Sequence, residues 1–518
     1  MLKRLTMPDE MEDAARRIRE LIEAHAEWLY APGEGSASVE VRRGEMDVCP
    51  AQGRLIFSCW TEKGVRSWRV RAWTWTGAKL LLEATRRAGA QHALIELIPR
   101  ASTKSTNAMI SAARRERSVR LAQLACSCVE GACIERAALS TGAGRGQPGR
   151  YARILLRRHH TSLFVTGVVT PGEAYEVDAF LSSTLIWFTR VGAGARTALK
   201  GKLWLISDSR HIAALAQRVA LLRSELRRVI SLFEIDEGWR ELKSFRCPAQ
   251  EELWAAERRE SFRRPSRAEP GETASRIIAL APGAIDMVRA RHGETLRFHG
   301  LPFARVRRLM GVEHIWFGVG GMHQRRLLDE RTAPDWDRLF RELSEHRRAE
   351  ATDRRHALYR LAPEAWLESM LRRDITRLDP GLRIAPLYAQ FRTSREGALS
   401  AGARPVDLLA LRRDGRLVVI ELKVSEDREH VLQGADYWRR VEAHRRAGNL
   451  VRALLFGDAA IADRSPLVYL VAPTLRFHRA FNTLVRALDP RIETYRFDIN
   501  EDWRAGVRVM RRESSTDY

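Results

Sequence analysis

Cysteine is scarce in this chain, with six cysteines among 518 residues. A disulfide framework is typical of small secreted domains that have many cysteines, so the low count excludes that architecture. The segment from Met1 to Arg17 also lacks the apolar core of a signal peptide. We therefore expect a protein of the reducing cytoplasm.

Long apolar runs are missing as well. The longest one, FLSSTLIWF at Phe180–Phe188, is about half of the roughly 20 residues that a membrane-spanning helix needs. It is typical of a buried strand or a short helix. We expect no membrane partner.

Acidic residues are too few to balance the basic ones. The chain has 65 Asp and Glu against 88 Lys and Arg, which gives a formal net charge of +23. Such a charge attracts polyanions, so nucleic acid is the leading partner class. The alternative is a general enrichment in arginine that spreads charge over every solvated face.

The remaining composition is that of a folded, multidomain protein. With 45% hydrophobic and 30% charged residues, the chain differs from disordered and fibrous proteins, and its length suggests about three or four domains. We predict an α/β protein, α+β overall, with an α+β region over 1–245 that serves recognition or assembly. A mixed, largely helical connection over 246–355 and a C-terminal domain over 356–518 follow. The polar stretch RRPSRAEPGETAS, with two prolines, marks a boundary or an exposed loop.

The early elements follow from periodicity. Asp9–Leu29 and Asn107–Arg136 have helical spacing, whereas SVEVRRGEMDV, GRLIFSCW, SWRVRAWTW and YARILLRRHHTSLFVTGVV are typical of strands. Trp68, Trp73 and Trp75 on these strands could form a surface that stacks on bases, or part of the core. The glycine-rich GAGRGQPG at Gly142–Gly149 lacks the lysine of a phosphate loop, so it favours a flexible basic loop.

The last third predicts elements in the order α-β-β-β-α-β-β-α-β. PEAWLESMLRRDI, REHVLQGADYWRRVEAHRR and LRFHRAFNTLVRAL have the spacing of helices. The predicted strands are LRIAPLYAQF, PVDLLAL, RLVVIELKV, VRALLF, PLVYLVAP and IETYRFDI. A sheet with helices packed on it is therefore expected.

Two opposite charges interrupt the most apolar of these strands. In RLVVIELKV, Glu421 and Lys423 share one face, while Val418, Ile420 and Leu422 form the other. Charged side chains are rarely buried unless they are paired or bind a metal ion, so they indicate a function here. The alternative is a strand end whose charged groups reach water. A second Glu-Leu-Lys, at Glu241 and Lys243, follows no apolar strand, and we predict a solvated helix end or loop there.

The preceding strand, PVDLLAL, also carries a carboxylate, Asp407. The RRDGR turn between the two strands predicts a hairpin. A two-residue turn would set Asp407 opposite Leu422 and away from Glu421. A three-residue loop with Gly415 left-handed sets Asp407 opposite Glu421. We favour the second register, because two carboxylates on one face can share a hard divalent cation.

An Asp followed fourteen residues later by Glu-x-Lys, in this order of elements, resembles the PD-(D/E)XK nuclease superfamily, most closely its RecB-like and NucS-like branch. The resemblance covers roughly Pro363–Asn500. Its helical acidic residue would be Glu368, with Glu364 one turn earlier as the alternative, and its Q-x-x-x-Y helix would supply Gln433 and Tyr437. The usual Pro-Asp pair is altered, since Val406 separates Pro405 from Asp407.

The resemblance implies a restriction-endonuclease-like αβββαβ core and a metal-dependent nuclease. Asp407, Glu421 and the backbone carbonyl of Leu422 would hold Mg²⁺ or Mn²⁺, and Lys423 would orient the attacking water or steady developing charge. Glu368 would bind a second cation or an outer water.

Gln433 and Tyr437 would position the phosphate or the lysine. The expected substrate is nucleic acid, with DNA favoured and 5′-phosphate and 3′-hydroxyl products. The alternative is a catalytically silent protein that uses the nuclease-like fold to bind nucleic acid or to assemble a complex. A homo-oligomer is compatible with the sequence, which does not specify one.

Overall fold

A computed structural model describes most of the chain. The described residues are 3–5, 8–32, 39–51, 53–61, 64–77, 79–86, 91–99, 103–141, 148–159, 161–170, 177–194, 201–257, 269–290, 293–309, 312–320, 322, 325–391 and 405–515. Most of the glycine-rich loop after residue 141 and the first part of the proline-containing boundary after residue 257 lie outside them.

The protein is a mixed α/β structure made of two compact units. The first unit comprises Met1–Leu121, Ala137–Ala152 and Val169–Glu173. The second comprises Ala122–Arg136, Arg153–Val168 and Ala174–Tyr518.

An antiparallel sheet with one amphipathic helix dominates the first unit. Its strands have the order β3-β2-β8-β7-β6-β5-β4, with β1 paired to β6. The elements are β1 (Lys3–Arg4), α1 (Pro8–Glu23), β2 (Glu27–Pro32), β3 (Val39–Arg42), β4 (Met46–Ala51), β5 (Arg54–Thr61), β6 (Gly64–Trp75), β7 (Leu80–Arg86) and β8 (Gln91–Pro99). The helix is shorter than predicted, because the chain from Glu27 onward pairs as a strand.

The tryptophans of β6 belong to the core of this unit. Trp68 and Trp73 are buried, and the partly buried Trp75 packs against the same cluster. The indole Nε1 of Trp68 donates a hydrogen bond to the Tyr30 hydroxyl at 3.1 Å. The alternative of a base-stacking surface is therefore wrong for Trp68 and Trp73, since apolar burial fixes them in the core.

Three elements follow at residues assigned to both units: α2 (Thr103–Ser127), β9 (Cys133–Thr141) and β10 (Pro148–Arg158). The predicted helix to Arg136 ends earlier, at Ser127, because Gly131 takes a left-handed φ of +75° and the chain then becomes extended.

The second unit continues with a largely parallel set of strands. β11 (Thr161–Val168), β12 (Lys202–Ser207) and β13 (Ile230–Ile235) run parallel, and β14 (Leu242–Phe245) pairs antiparallel with β13. The accompanying helices are α3 (Val177–Gly194), α4 (Ile212–Val219), α5 (Ser224–Val229) and α6 (Gln250–Glu257). The apolar run at Phe180–Phe188 forms part of α3. Across the described residues, no helix combines the length and the apolar character that a membrane span requires.

The segment that we predicted to be largely helical contains a five-stranded antiparallel sheet. Its elements are α7 (Glu272–Leu280), β15 (Ile285–Ala290), β16 (Gly293–Phe298), β17 (Leu301–Leu309), β18 (Val312–Phe317), β19 (Arg326–Leu327), α8 (Ala333–His346) and α9 (Ala357–Arg360). Arginines interrupt the apolar alternation of β17 and hide its two-residue period. The strand forms because Leu301, Phe303 and Val306 still share the buried side with α8.

The C-terminal part is built on a six-stranded mixed sheet with the order β20-β21-β22-β23-β24-β25. β22 runs parallel to β23 and β23 to β24, and the other neighbours are antiparallel. The elements are α10 (Pro363–Arg373), β20 (Tyr388–Phe391), β21 (Val406–Leu411), β22 (Leu417–Leu422), α11 (His430–Arg446), α12 (Asn449–Arg452), β23 (Leu467–Pro473), α13 (Phe481–Ala487), β24 (Thr494–Ile499) and β25 (Val509–Ser514).

Two predictions in this part need correction. VRALLF is not a strand: it begins in α12 and continues in turns, since Gly448, Leu454 and Gly457 all have positive φ angles that no extended strand accepts. A further edge strand, β25, follows the predicted last one.

Candidate functional site

The hairpin of β21 and β22 has the register that the three-residue loop predicts. Leu411 pairs with Leu417 and Leu408 with Ile420, which sets Asp407 opposite Glu421. The Gly415 amide donates to the Arg412 carbonyl at 3.0 Å, and Gly415 has a left-handed φ of +80°. The glycine thus permits the tight turn that brings the two carboxylates to one face.

The strand that carries Glu421 is buried along its whole length between β21 and β23. Val418 and Ile420 pack into one core cluster and Leu417 and Val419 into another. Glu421 lies on the same face of the strand as Leu417 and Val419 and is 1% exposed. The sequence therefore holds a carboxylate inside the sheet, where an ionised group is stable only with a partner.

The two carboxyl groups interact directly with each other. They lie within hydrogen-bonding reach, yet two ionised carboxylates are both acceptors. Burial, and then the charge of Asp407, raise the pKa of Glu421 well above its usual range, although Lys423 opposes the shift. Burial also raises the pKa of Asp407, against the hydrogen bond from the Leu422 amide. A proton or a cation between the groups removes the conflict.

Each carboxylate has one oxygen oriented by the protein. The Leu422 amide donates to Asp407 Oδ2 at 2.9 Å, and Lys423 Nζ lies 2.9 Å from Glu421 Oε1. The other oxygen of Glu421, Oε2, is buried and has no hydrogen-bond partner among the described residues. A buried polar atom without a partner is costly, so this oxygen is suited to a proton shared with Asp407 or to a bound cation.

Lys423 follows the last residue of β22 and lies beside acidic side chains. Its ammonium contacts Glu421 and, at 3.5 Å, Asp427 Oδ2. Burial opposes its charged form, but the charge and hydrogen bond of Glu421, together with the charges of Asp427 and Asp407, outweigh burial and raise the pKa of Lys423. The lysine is therefore a fixed positive charge next to the carboxylate pair.

Glu368 is buried on α10 and reaches the same site through Gln390. Gln390 Nε2 donates to Glu368 Oε2 at 2.8 Å and, at the longer distance of 3.5 Å, to Asp407 Oδ1. Arg297 Nη1 from β16 donates to Glu368 Oε1 at 3.1 Å. Both oxygens of Glu368 are thus engaged by protein donors.

Gln390 has an unusual backbone for a residue in a strand. Its neighbours pair regularly, Ala389 with Leu408 and Phe391 with Val406, so Gln390 stands opposite Asp407. Its φ angle is +49°, a left-handed conformation that costs a non-glycine residue on the order of 1–3 kcal/mol. Such outliers cluster at functional sites, which agrees with its contact to Asp407.

The helix α11 covers the site with Tyr437 but directs Gln433 elsewhere. Tyr437 is buried, and its pKa is raised by burial and then by the charges of Glu421 and Asp407, so its hydroxyl stays protonated near them. Gln433 Nε2 donates to Glu429 Oε2 at 3.4 Å, and Gln433 Oε1 is buried without a partner in the described structure. The predicted Tyr437 lies near the carboxylates, and Gln433 has a different hydrogen-bond partner.

Sequence reasoning missed four side chains around the pair: Gln390, Arg297, Asp427 and His430. His430 is fully buried and its Nε2 lies 3.1 Å from the Glu421 carbonyl oxygen, while burial lowers its pKa to about 4 and keeps it neutral. The only polar residue in the middle of LYAQF could have indicated Gln390. Nothing in the irregular segment around Arg297 indicates a contact with a helix 71 positions away.

The second Glu-Leu-Lys provides an internal comparison. Glu241 and Lys243 lie 3.7 Å apart with side chains 65% and 67% exposed. They are solvated, as predicted, although Lys243 lies on the edge strand β14 and not on a helix end or loop. The same three residues therefore form an ordinary surface pair when no buried strand carries them.

The donor set at Asp407 and Glu421 suits a hard divalent cation. When all three are ionised, Asp407, Glu421 and Asp427 carry three negative charges against one positive charge on Lys423, which gives a formal net charge of −2. Mg²⁺ is commonly bound by one or two carboxylates and keeps several water ligands. Within the described residues no group of three or more His, Cys, Asp or Glu side chains is placed to hold a metal ion, so the protein would supply two carboxylates and the Leu422 carbonyl.

Comparison of the chain with protein-family models, with curated proteins and with solved structures found no match.

Proposed function

We propose that the C-terminal part of the chain is a restriction-endonuclease-like domain of the PD-(D/E)XK type. It would hydrolyse phosphodiester bonds in nucleic acid, with DNA as the favoured substrate and Mg²⁺ or Mn²⁺ as the cofactor. The observation that carries the proposal is the pair of half-buried Asp407 and buried Glu421, which share one face beside Lys423 while one carboxylate oxygen of Glu421 has no partner among the described residues.

Charge is the main obstacle to this reaction, because an anionic diester must be approached by a nucleophile that is itself negative. Asp407, Glu421 and the Leu422 carbonyl would hold a divalent cation, which would supply positive charge to acidify water and offset the charge of the phosphate. Burial of Glu421 and partial burial of Asp407 would strengthen their attraction for the cation, since the surrounding dielectric is low.

Lys423 contributes a second, fixed positive charge. Its ammonium is held against Glu421 and Asp427, so its position needs no reorganisation during the reaction. It would orient the attacking water or stabilise the charge that develops on the phosphate. Tyr437, kept protonated, can donate a hydrogen bond at the same face.

A cluster of arginines next to this site supports a polyanionic substrate. Arg153 lies near Arg190 and Arg428; burial and then these charges lower the pKa of its guanidinium. His478 adjoins Arg428, Arg479 and Arg190. Arg190, Arg428 and Arg479 are exposed, and Arg428 follows Asp427, the partner of Lys423. These residues would contact phosphates of a nucleic acid that reaches the carboxylates.

Incubation of the protein with a panel of labelled nucleic-acid structures, with and without Mg²⁺ or Mn²⁺, tests the proposal. The panel should contain duplex, single-stranded, branched and mismatched DNA and their RNA counterparts. We expect cation-dependent cleavage that is lost in Glu421→Ala and in Lys423→Ala. Glu241→Ala and Lys243→Ala are matched controls, because they alter the same tripeptide on the surface. Binding without cleavage would instead support a silent nucleic-acid-binding protein.

A further inference from the structure

Glu368 is a further acidic residue that reaches the site, but its carboxylate is already neutralised. Its Oε1 accepts a hydrogen bond from Arg297 Nη1 at 3.1 Å, and its Oε2 accepts one from Gln390 Nε2 at 2.8 Å. The Glu368 side chain is 3% exposed and that of Arg297 is 7% exposed. The two groups form a buried ion pair between α10 and β16.

Two further charges complete this cluster. Arg297 Nε lies 2.7 Å from Asp286 Oδ1, and Arg372 Nη1 lies 3.4 Å from Asp286 Oδ2. Two carboxylates therefore face two guanidinium groups, and the cluster has no net charge. A divalent cation at Glu368 would meet Arg297 directly, and repulsion between the two positive groups would oppose its binding.

The situation differs at the carboxylate pair. There the net charge is −2, and Glu421 Oε2 lacks a partner among the described residues. Gln390 connects the two regions, since its amide donates to Glu368 and reaches Asp407. The contacts therefore form a series, in which Arg297 contacts Glu368, Glu368 contacts Gln390, and Gln390 contacts Asp407.

We propose that this site takes a single divalent cation, held by Asp407 and Glu421. The positive charge of Arg297 then takes the place of a second cation at Glu368. Glu368 and Gln390 are then positioning residues, which fix the orientation of Asp407 and do not bind the cation themselves. The inference rests on the proposed function, because it concerns the same metal centre.

Isothermal titration of the full chain with Mn²⁺ alone tests the proposal without any activity measurement. We expect one Mn²⁺ per chain, with an electron paramagnetic resonance spectrum free of coupling between two manganese ions. Two coupled ions in the wild type would overturn the single-cation inference while leaving the nuclease proposal intact. No Mn²⁺ binding at all would overturn the single-cation inference. Cleavage without any cation would then leave phosphodiester hydrolysis standing without its metal centre, whereas no cleavage would overturn both proposals.

Variants along this series of contacts extend the test. Glu368→Gln should lower Mn²⁺ affinity by roughly 10-fold, the lower end of the usual effect of an outer partner, with one ion still bound. Glu364→Gln, one turn earlier on α10, should leave the affinity unchanged. An equal effect of both variants would contradict the positioning role.

Arg297→Met removes one positive charge and leaves Glu368 with an open oxygen, so a second Mn²⁺ should now bind. Arg297→Lys keeps the charge and should still bind one ion. If Arg297→Met folds and also binds one ion, the guanidinium does not exclude a second cation and the proposal is wrong. If Arg297→Met does not fold, the number of Mn²⁺ ions bound by the wild type and the Mn²⁺ affinity of Glu368→Gln decide whether the proposal holds.

Discussion

Asp407 illustrates how one side chain can be costly for folding and necessary for a site. Its Oδ2 accepts from the Leu422 amide at 2.9 Å, while its carboxylate faces that of Glu421, whose Oε2 has no partner in the described structure. Asp407→Asn keeps an oxygen that accepts the hydrogen bond from the Leu422 amide. It also adds an amide N–H that can donate a hydrogen bond to Glu421. We expect the metal-free variant to be about 1 kcal/mol more stable than wild type, measured by denaturant unfolding.

The same substitution removes one of the two negative charges that would hold the cation. Mn²⁺ should therefore stabilise wild type against unfolding but not Asp407→Asn, since a ligand stabilises only the state that it binds. A variant that is less stable than wild type and still gains stability from Mn²⁺ would show that Asp407 is a structural group.

Lys423 gives a second prediction about a single residue. Lys423→Met keeps most of the length of the side chain and removes the ammonium beside Glu421. Turnover should fall by roughly 10²- to 10³-fold, as for other fixed electrostatic groups. The metal-free variant should also lose stability, because Glu421 remains buried without its cation, and Mn²⁺ should restore part of it. Cleavage at the wild-type rate would show that Lys423 is only an ion-pair partner.

The site residues that could be predicted from the sequence are those that interrupt the apolar pattern of their own strand. Asp407 and Glu421 are conspicuous because each interrupts an apolar strand, and the Asp-Gly loop then fixes their register. Arg297 could not be found in this way, since its meaning depends on β16 packing near α10. That contact gives an arginine partner to Glu368, which we expected to bind a second cation or an outer water.

The element that bears Glu368 is supported by the turn between β16 and β17. Gly300 in this turn has a φ of +78° and packs against the backbone of α10: a Cβ added there would lie 1.9 Å from the Ala365 carbonyl oxygen. Arg347, fully buried, donates to the carbonyls of Phe298 and Leu361 at 2.9 and 2.7 Å. The five-stranded sheet thereby fixes the start of α10.

Gly300→Ala should consequently destabilise the protein strongly. The left-handed backbone alone costs alanine about 1 kcal/mol, and the clash with a backbone atom adds more, so we expect a loss above roughly 2 kcal/mol in urea unfolding. Gly283→Ala is the matched control, because a Cβ at Gly283 meets no atom within 4 Å. Equal stabilities of the two variants would show that the turn does not support α10.

Elements were predictable where one period dominated. β21, β22, β23 and α11 have unmistakable apolar patterns and clear ends, as at Gly448, which takes φ +68° after α11. β17 was missed because arginines occupy positions that its partner strands leave partly exposed. Tertiary packing, which a single segment does not encode, decided these cases.

At the scale of the whole molecule, net charge alone does not locate a binding surface. The +23 charge is spread over the chain, and many arginines are compensated, as Arg416 is by Glu493 at 2.6 Å. The basic cluster of Arg153, Arg190, Arg428, Arg479 and His478 differs because its members lie near one another, and Arg428 directly follows Asp427, which contacts Lys423. We expect it to provide a large part of the affinity for nucleic acid.

The double variant Arg428→Glu and Arg479→Glu tests this expectation. Each change alters the charge by two, so the formal net charge falls from +23 to +19. Affinity for a labelled duplex should fall, and the slope of log K against log salt should become less negative by about 0.9 for each phosphate that the variant no longer neutralises. The control, Arg276→Glu with Arg338→Glu on the exposed faces of α7 and α8, has the same net charge. If both variants bind the duplex with the same reduced affinity and salt dependence, total charge and not the basic cluster attracts the nucleic acid.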